Sequence, residues 1–277
     1  MDSEMPVAGR RLQSSFDSGR ESWVASTTLT PTANQEPVSI IIGQRCTCFD
    51  EQKFLDLYRD EHSLHFGWYE REGSSKSRLP PLNSESLSNL EKLLGGIKQH
   101  FVPVAGCRLD QIAYMLATVR VEAYDFMRGV FFGPTIERIS YASAEVHYGV
   151  GPTARRPTYA RRHGNIDVGD GFKFRGRGFI QITWRSNYES FSSIAGVDLV
   201  ASPDAAMEWE TALKIMVIGM VEGRFTGRKL DDYLGDGQSD FYGARRIING
   251  LDKAHIIAEY AEKFLELLHS TRCPASE

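Results

Sequence analysis

Gly169-Asp170-Gly171-Phe172-Lys173-Phe174-Arg175-Gly176-Arg177-Gly178-Phe179-Ile180-Gln181-Ile182-Thr183-Trp184-Arg185-Ser186-Asn187-Tyr188 is the stretch on which the reading of this chain turns. Polar Gln181, Thr183 and Asn187 are interleaved with apolar Phe179, Ile180 and Ile182. That pattern describes a rigid backbone presenting amide and hydroxyl groups to a polar, uncharged ligand such as a sugar. Gly176 and Gly178 permit a positive φ or a close approach of backbone. Taken alone, the R-G-R-G core also fits a plain basic loop or a nucleic-acid contact, so its neighbours in the chain have to decide.

Residues 112–122, I-A-Y-M-L-A-T-V-R-V-E, form an apolar helical run that ends in a lone carboxylate, Glu122. Phe132-Gly133-Pro134-Thr135-Ile136-Glu137 adds a second carboxylate on a proline-bounded turn, with Glu145 as a rival. Residues 243–252, G-A-R-R-I-I-N-G-L-D, read as a helix end with Asn249 before Gly250. In this order the segments resemble the lysozyme-like catalytic domain of glycoside hydrolase family 19, which covers chitinases and many cell-wall hydrolases. The resemblance spans about two thirds of the chain, residues 87–270.

The resemblance implies a mainly α (α+β lysozyme-like) fold: a helical, two-lobed domain with a small β element and a central cleft, plus an N-terminal extension. The residues agree. Leu87, Leu90, Leu94, Ile97 and Phe101 share one helical face, and Leu109, Ile112, Ala113, Leu116 and Ala117 share another. Ser202-Pro203 opens a helix running through Met216 and Met220, and Ala254, Ile257, Ala261, Phe264, Leu265 and Leu268 mark the last one. The methionine and aromatic stripes read as core. Short strands are expected around Phe172–Phe174 and Phe179–Thr183, with others at Val38–Ile42 and His65–Arg71 and a helix over Phe54–His62. Residues 1–37 are too polar to offset chain entropy and read as disordered. Residues 38–82, ending in the linker-like G-S-S-K-S-R-L-P-P, read as a small accessory region, either separate or packed on the domain of residues 83–277.

Composition excludes several classes. Apolar residues make up 42% and charged residues 25% of the 277, ordinary values for a globular protein. A net charge of −4 argues against a whole-protein polyanion binder, and no nucleic-acid partner is expected. Locally the balance reverses: residues 151–190 hold eight Lys/Arg against three Asp/Glu, a basic rim suited to an anionic substrate. No segment approaches the roughly 18 apolar residues of a membrane span. The four cysteines (Cys46, Cys48, Cys107, Cys273) make no disulfide framework in so long a chain and read as free buried thiols. His147 and His163 have no metal-ligand spacing to other residues; neither metal nor cofactor is expected. The N-terminus lacks the apolar core of a signal peptide. The expected route is therefore synthesis in the cytoplasm and action at the cell wall or periplasm after lysis or dedicated secretion.

Glycoside hydrolysis needs one carboxylic acid to protonate the leaving oxygen and a second carboxylate as nucleophile or to activate water. By the resemblance Glu122 is the proton donor and Glu137 the general base of an inverting reaction, roughly 6.5–9.5 Å apart to admit a water. A carboxylate at a helix C-terminus is disfavoured by the macrodipole, which suits a group that must hold a proton. Thr183 matches the position that helps hold the attacking water. Gln181, Asn187 and Asn249 match positions that bind sugar amides, for which their paired donor and acceptor groups are apt. Trp184, Tyr188 and Tyr148 are candidate stacking platforms and Arg246 a candidate substrate-binding residue; Arg245 and Arg246 either pair with a catalytic carboxylate or cap the helix. The chain departs from the family where Val121 and Ala123 flank the acid in place of His and Thr, and where more residues separate the two acids. The expected partner is peptidoglycan or a chitin-type glycan, with peptidoglycan preferred, in an endolysin or an antibacterial toxin accompanied by an immunity protein. A chitinase and a catalytically silent glycan binder are the alternatives.

Overall fold

A computed structural model of the chain describes residues 47–69, 77–235 and 237–274. The expectations for residues 1–37, Val38–Ile42 and Cys46 lie outside these, as does the first part of the 73–81 stretch. Helix α1 (Glu51–His65) opens on Asp50, whose side chain accepts from the Lys53 N–H and satisfies an otherwise orphaned donor. A short antiparallel ribbon, β1 (Trp68–Tyr69) with β2 (Ser77–Arg78), leads to α2 (Ser84–His100), capped in the same way by Asn83. Then come α3 (Val102–Ala105), α4 (Leu109–Glu122), β3 (Thr135–Ile136), α5 (Tyr141–Tyr148), α6 (Pro157–Arg162), α7 (Asp170–Lys173), β4 (Arg177–Gly178) and α8 (Arg185–Ala195). A 3-10 turn (Pro203–Met207) precedes α9 (Trp209–Glu222); the ribbon β5 (Leu234–Gly235) with β6 (Gln238–Ser239) is followed by α10 (Phe241–Ala244) and α11 (Ala254–Ser270). The fold is mainly α with small β ribbons, as the sequence predicts.

Helix α4 is the axis of the core. Every residue from Gln111 to Arg120 is buried, the signature of a helix enclosed on all sides. The amphipathic α11 packs along it, presenting Ile257, Ala261, Phe264 and Leu268. Where α2 meets α9, Gly96 lies against the Leu213 side chain; a Cβ at Gly96 would overlap it, so glycine sets the approach of these helices.

The boundary expected near residue 82 is absent from the described residues, of which the part before 82 belongs to the same core. The Tyr58 ring lies 5.3 Å from that of Phe264 and 5.6 Å from that of Phe132, and Phe49 and Phe54 are fully buried in the same cluster. Helix α1 is thus an integral wall of that core. Two local expectations also change. Phe172 lies in helix α7 and residues 179–183 form a tight turn, leaving only Arg177–Gly178 to pair with Thr135–Ile136. Left-handed backbone at Gly178, Gln181 (φ 54°) and Trp184 (φ 79°) breaks the extended run. The proline-led helix is interrupted at Glu208, whose extended backbone separates the 3-10 turn from α9.

The cysteines correct the reading of free thiols. Cys48 is bonded to Cys107, across a sequence separation of 59, and Cys273 is disulfide-bonded too. Neither partner in the Cys48–Cys107 bridge is buried in the core. The bridge ties the segment before α1 to the turn before α4, across a spacing that sequence alone left unmatched. In a chain-entropy estimate a loop of this length is worth about 4 kcal/mol. Replacing Cys107 with Ser is expected to lower the melting temperature by roughly 10 °C, read by calorimetry without reductant.

A buried polar cluster fastens α1 to α4. Arg120 donates from Nε to the Tyr58 hydroxyl (3.1 Å) and from Nη2 to the Phe66 carbonyl (2.9 Å), and its guanidinium lies 3.7 Å from the Phe131 ring centre. His62 meets Tyr58 Oη and the Pro80 carbonyl, each at 3.2 Å. Burial, with the Arg120 charge adding to it, pushes His62 down from 6.5 to about 4. The unfolded chain therefore takes up this proton first, and the associated stability, complete above pH 6.5, is lost as the pH falls towards 4. Urea unfolding across that window is expected to show a loss of about 1.4 kcal/mol per pH unit that His62→Phe removes.

Candidate active site

Glu122 is the last residue of α4, so the buried helix delivers it to the edge of the core. Its carboxylate is 13% exposed and lies between two cations: Arg245 Nη2 donates to Oε1 at 2.8 Å, and Lys253 Nζ to Oε2 at 3.4 Å. Arg245 is itself 3% exposed and is fixed by a second bond, from Nε to the Asp252 carbonyl at 2.8 Å. Two cations at the helix C-terminus counter the macrodipole that would otherwise disfavour a charge there, which overturns the electrostatic argument drawn from the helix end alone. Lys253 reaches the carboxylate from a left-handed backbone position that opens α11.

Glu137 follows β3 directly, and its surroundings differ in kind. The Tyr148 hydroxyl donates to Oε1 at 2.8 Å and the Gly176 N–H to Oε2 at 3.2 Å, while the Glu137 N–H donates to the Gly176 carbonyl at 2.9 Å. Neutral donors thus hold both oxygens. Burial, then the Glu137 charge, drives the Tyr148 phenol well above the ordinary tyrosine range, so it stays a donor at all physiological pH values. Gly176 is required for a second reason: a Cβ there would sit 2.7 Å from Gln181 Oε1.

Both carboxylates line a single cleft of about 430 Å³ together with Gln181, Phe126, Met127 and Thr135. The wall between the acids in sequence is a braced turn. Asp125 Oδ1 accepts from the Met127 and Arg128 N–H groups, and its Oδ2 pairs with Arg138 at 2.8 Å. Gln181 is a strut: its Nε2 donates to the Thr135 carbonyl (2.7 Å), to Thr135 Oγ1 (3.0 Å) and to the Gly178 carbonyl (3.0 Å). Those bonds tie the 176–183 segment to β3 and thereby to Glu137.

The remaining expected residues fall elsewhere. Thr183, Asn187 and Asn249 lie outside the lining of this cleft. Thr183 Oγ1 donates to the Gln181 carbonyl at 3.2 Å, Asn187 Nδ2 donates to the Thr183 carbonyl at 2.6 Å, and the exposed Asn249 accepts from the Gly250 N–H. Tyr188 is fully buried and its hydroxyl donates to the Arg175 carbonyl, which removes it as a sugar platform; burial pushes its phenol up to about 12, with Arg177 working the other way. Trp184 sits edge-on to Tyr148, with ring centres 5.2 Å apart. Of the adjacent arginines, Arg245 meets the acid, while Arg246 is exposed and outside the cleft lining. Glu145 drops out as a rival base. It is buried, and its two oxygens accept the Gly169 and Phe172 N–H groups, so it fastens the start of α7. Among the described residues no cluster of His, Cys, Asp and Glu is arranged to hold a metal ion.

Two roles are not legible in the sequence. Tyr148, a candidate stacking ring, instead donates to Glu137. Lys253 carries no signal, being brought in by a loop. Asp125, Phe126 and Met127, among the residues that lengthen the interval between the acids and that the sequence marks as able to reshape the cleft, line it.

A short sequence match agrees with the resemblance. A 61-residue stretch is 44% identical to a glycosyl hydrolase family 19 domain-containing protein of Haemophilus influenzae. The match takes in 21% of this chain and 30% of that protein, so the chain spans about a third of the relative's length. A crystal structure of a chitinase C point mutant superposes with a TM-score of 0.46 at 17% identity, over 84% of this chain and 98% of that one. No family model matches the chain.

The Arg245–Glu122 pair gives a direct stability test. Arg245→Met leaves a mostly buried carboxylate without its main partner and is expected to cost about 3–5 kcal/mol in urea unfolding. Glu122→Gln, whose amide oxygen still accepts from Arg245, is expected to cost well under half of that.

Proposed function

We propose that this protein is a glycosidase that cleaves β-1,4-linked N-acetylated glycans, with peptidoglycan preferred over chitin. The observation that carries the reading is the sharing of one cleft by Glu122 and Glu137, each held by a different set of partners. Glu122, oriented by Arg245, protonates the departing sugar oxygen. Glu137, held by Tyr148 and Gly176, takes a proton from the water that attacks the opposite face, and the anomeric centre inverts. Water enters between the two groups; the bond to the leaving oxygen breaks as the new one forms. Thr183, Asn187, Asn249, Trp184 and Arg246, outside the cleft lining, contribute where the glycan extends beyond the cleft. The preference for peptidoglycan is supported by the basic 151–190 segment, since chitin is neutral. In this reading the protein is an endolysin, or an antibacterial toxin whose producer needs an immunity protein, and it acts at the wall.

A glycan binder without turnover is the second reading, and one observation favours it. Val121 and Ala123, on either side of Glu122, pack against the core and offer the acid no polar group.

Incubating the protein and its Glu122→Gln form with peptidoglycan and with chitin oligomers, and resolving the products by mass spectrometry, separates these readings. Muropeptides from the unmutated protein, reduced at least about a hundredfold by the substitution, are expected. Chitin fragments alone would overturn the peptidoglycan preference, and binding without product from either substrate would overturn the enzyme.

A further inference from the structure

Residues 151–166, G-P-T-A-R-R-P-T-Y-A-R-R-H-G-N-I, contain four arginines and no acid. Arg155, Arg156, Arg161 and Arg162 are all exposed around helix α6. Exposed arginines without a carboxylate within 4 Å occur elsewhere among the described residues, as at Arg228, Arg246 and Arg272, but singly in the sequence, whereas here four fall within eight residues. Arg59, Arg108, Arg128, Arg138, Arg177, Arg185, Arg224 and Arg245 each have a carboxylate within 4 Å. The four around α6 have none among the described residues; Arg161 reaches only the Val150 and Ile166 carbonyls, at 3.4 and 3.5 Å.

Nearby acids do not neutralise them. Asp170 accepts from the Ile166 and Asp167 N–H groups and pairs with Arg185 at 2.8 Å; Asp167 also pairs with Arg185, at 3.1 Å. Glu145 is consumed by backbone donors. The segment is also firmly held. Asn165, fully buried, donates to the Tyr148 carbonyl and accepts from the Arg185 N–H, and the Ser186 N–H donates to the His163 carbonyl. A braced, uncompensated cluster of guanidinium groups on a protein of net charge −4 is built to meet negative charge from outside.

Aromatic rings connect this patch to Glu137. Tyr159, 46% exposed, lies 4.1 Å from the His163 ring; both border Trp184, at 5.6 and 5.1 Å; Trp184 meets Tyr148; and Tyr148 donates to Glu137. None of the four arginines lines the cleft. Resting on the glycan reading above, we propose that residues 151–166 form an anchoring surface, separate from the cleft, for a carboxylate-bearing glycan polymer. The planar guanidinium forks take the polymer's carboxylates, and the exposed Tyr159 ring takes an apolar sugar face. The surface retains the enzyme on insoluble wall material while the cleft works on the strand held beside it.

The test compares the full chain with a form carrying Arg155→Gln, Arg156→Gln, Arg161→Gln and Arg162→Gln. All four sites are exposed, and equal melting temperatures establish that the fold is kept. Cosedimentation with purified peptidoglycan sacculi at about 0.1 M salt is expected to weaken at least tenfold in the substituted form, with hydrolysis of soluble, neutral chitin oligomers unchanged. Sacculi whose carboxylates have been amidated are expected to bind the unmutated chain no better than untreated sacculi bind the substituted one. Equal binding of both forms to untreated sacculi overturns the proposal, as does a loss of oligomer hydrolysis that tracks the loss of binding. Retention of unmutated binding on amidated sacculi overturns the carboxylate chemistry. Should neither form release product from any glycan while the binding difference persists, the glycosidase reading fails and the anchoring surface stands.

Discussion

The enclosure of α4 constrains everything else. A helix buried from Gln111 to Arg120 has only its ends at the surface, so whatever polar chemistry it carries must emerge there. Glu122 emerges at the C-terminal end. A carboxylate on the edge of so apolar a core needs compensation, and the chain supplies it from far along the sequence, through Arg245 and Lys253. Helix α11, packed lengthwise on α4, carries Lys253 at its threshold, and the turn before it carries Asp252, which fixes Arg245. The same packing that makes the core thus assembles the surroundings of one carboxylate.

The second carboxylate is organised on a different principle. Glu137 depends on a two-residue strand pairing, a backbone N–H and one phenol. Glu122 is held by charge and Glu137 by neutral donors. Such an asymmetry lets the two carboxylates respond differently to a change in their surroundings. Gln181 braces the Glu137 side: its amide holds β3 in place, and its own left-handed backbone shapes the turn that ends at Trp184.

The helices were legible because burial imposes a 3.6-residue rhythm, and the faces at Leu87–Phe101, Leu109–Ala117 and Ala254–Leu268 lie where that rhythm puts them. The 172–183 region was not, since alternation of polar and apolar residues does not reveal that Gln181 and Trp184 adopt positive φ. Glu122 and Glu137 were found by motif. The partner of each was not: Tyr148, Lys253 and the choice of Arg245 over Arg246 are set by how distant segments pack. Tyr188 failed as a surface aromatic because an aromatic ring in a mixed segment satisfies burial and exposure patterns equally well. The cysteines failed for a similar reason, since partners so far apart in sequence leave no local trace of their proximity.

The Cys48–Cys107 bridge has a practical corollary. It encloses α1, α2 and α3 in one covalent ring that closes just before α4. A protease that cuts once inside that ring opens it without releasing either piece. The nicked protein would run as intact on a non-reducing gel and split into two bands only with reductant. Helix α1, still tethered on one side of the cut and clipped on the other, would remain against Phe264 at high local concentration. For a protein exposed to foreign proteases, the bridge turns a lethal cut into a tolerable one.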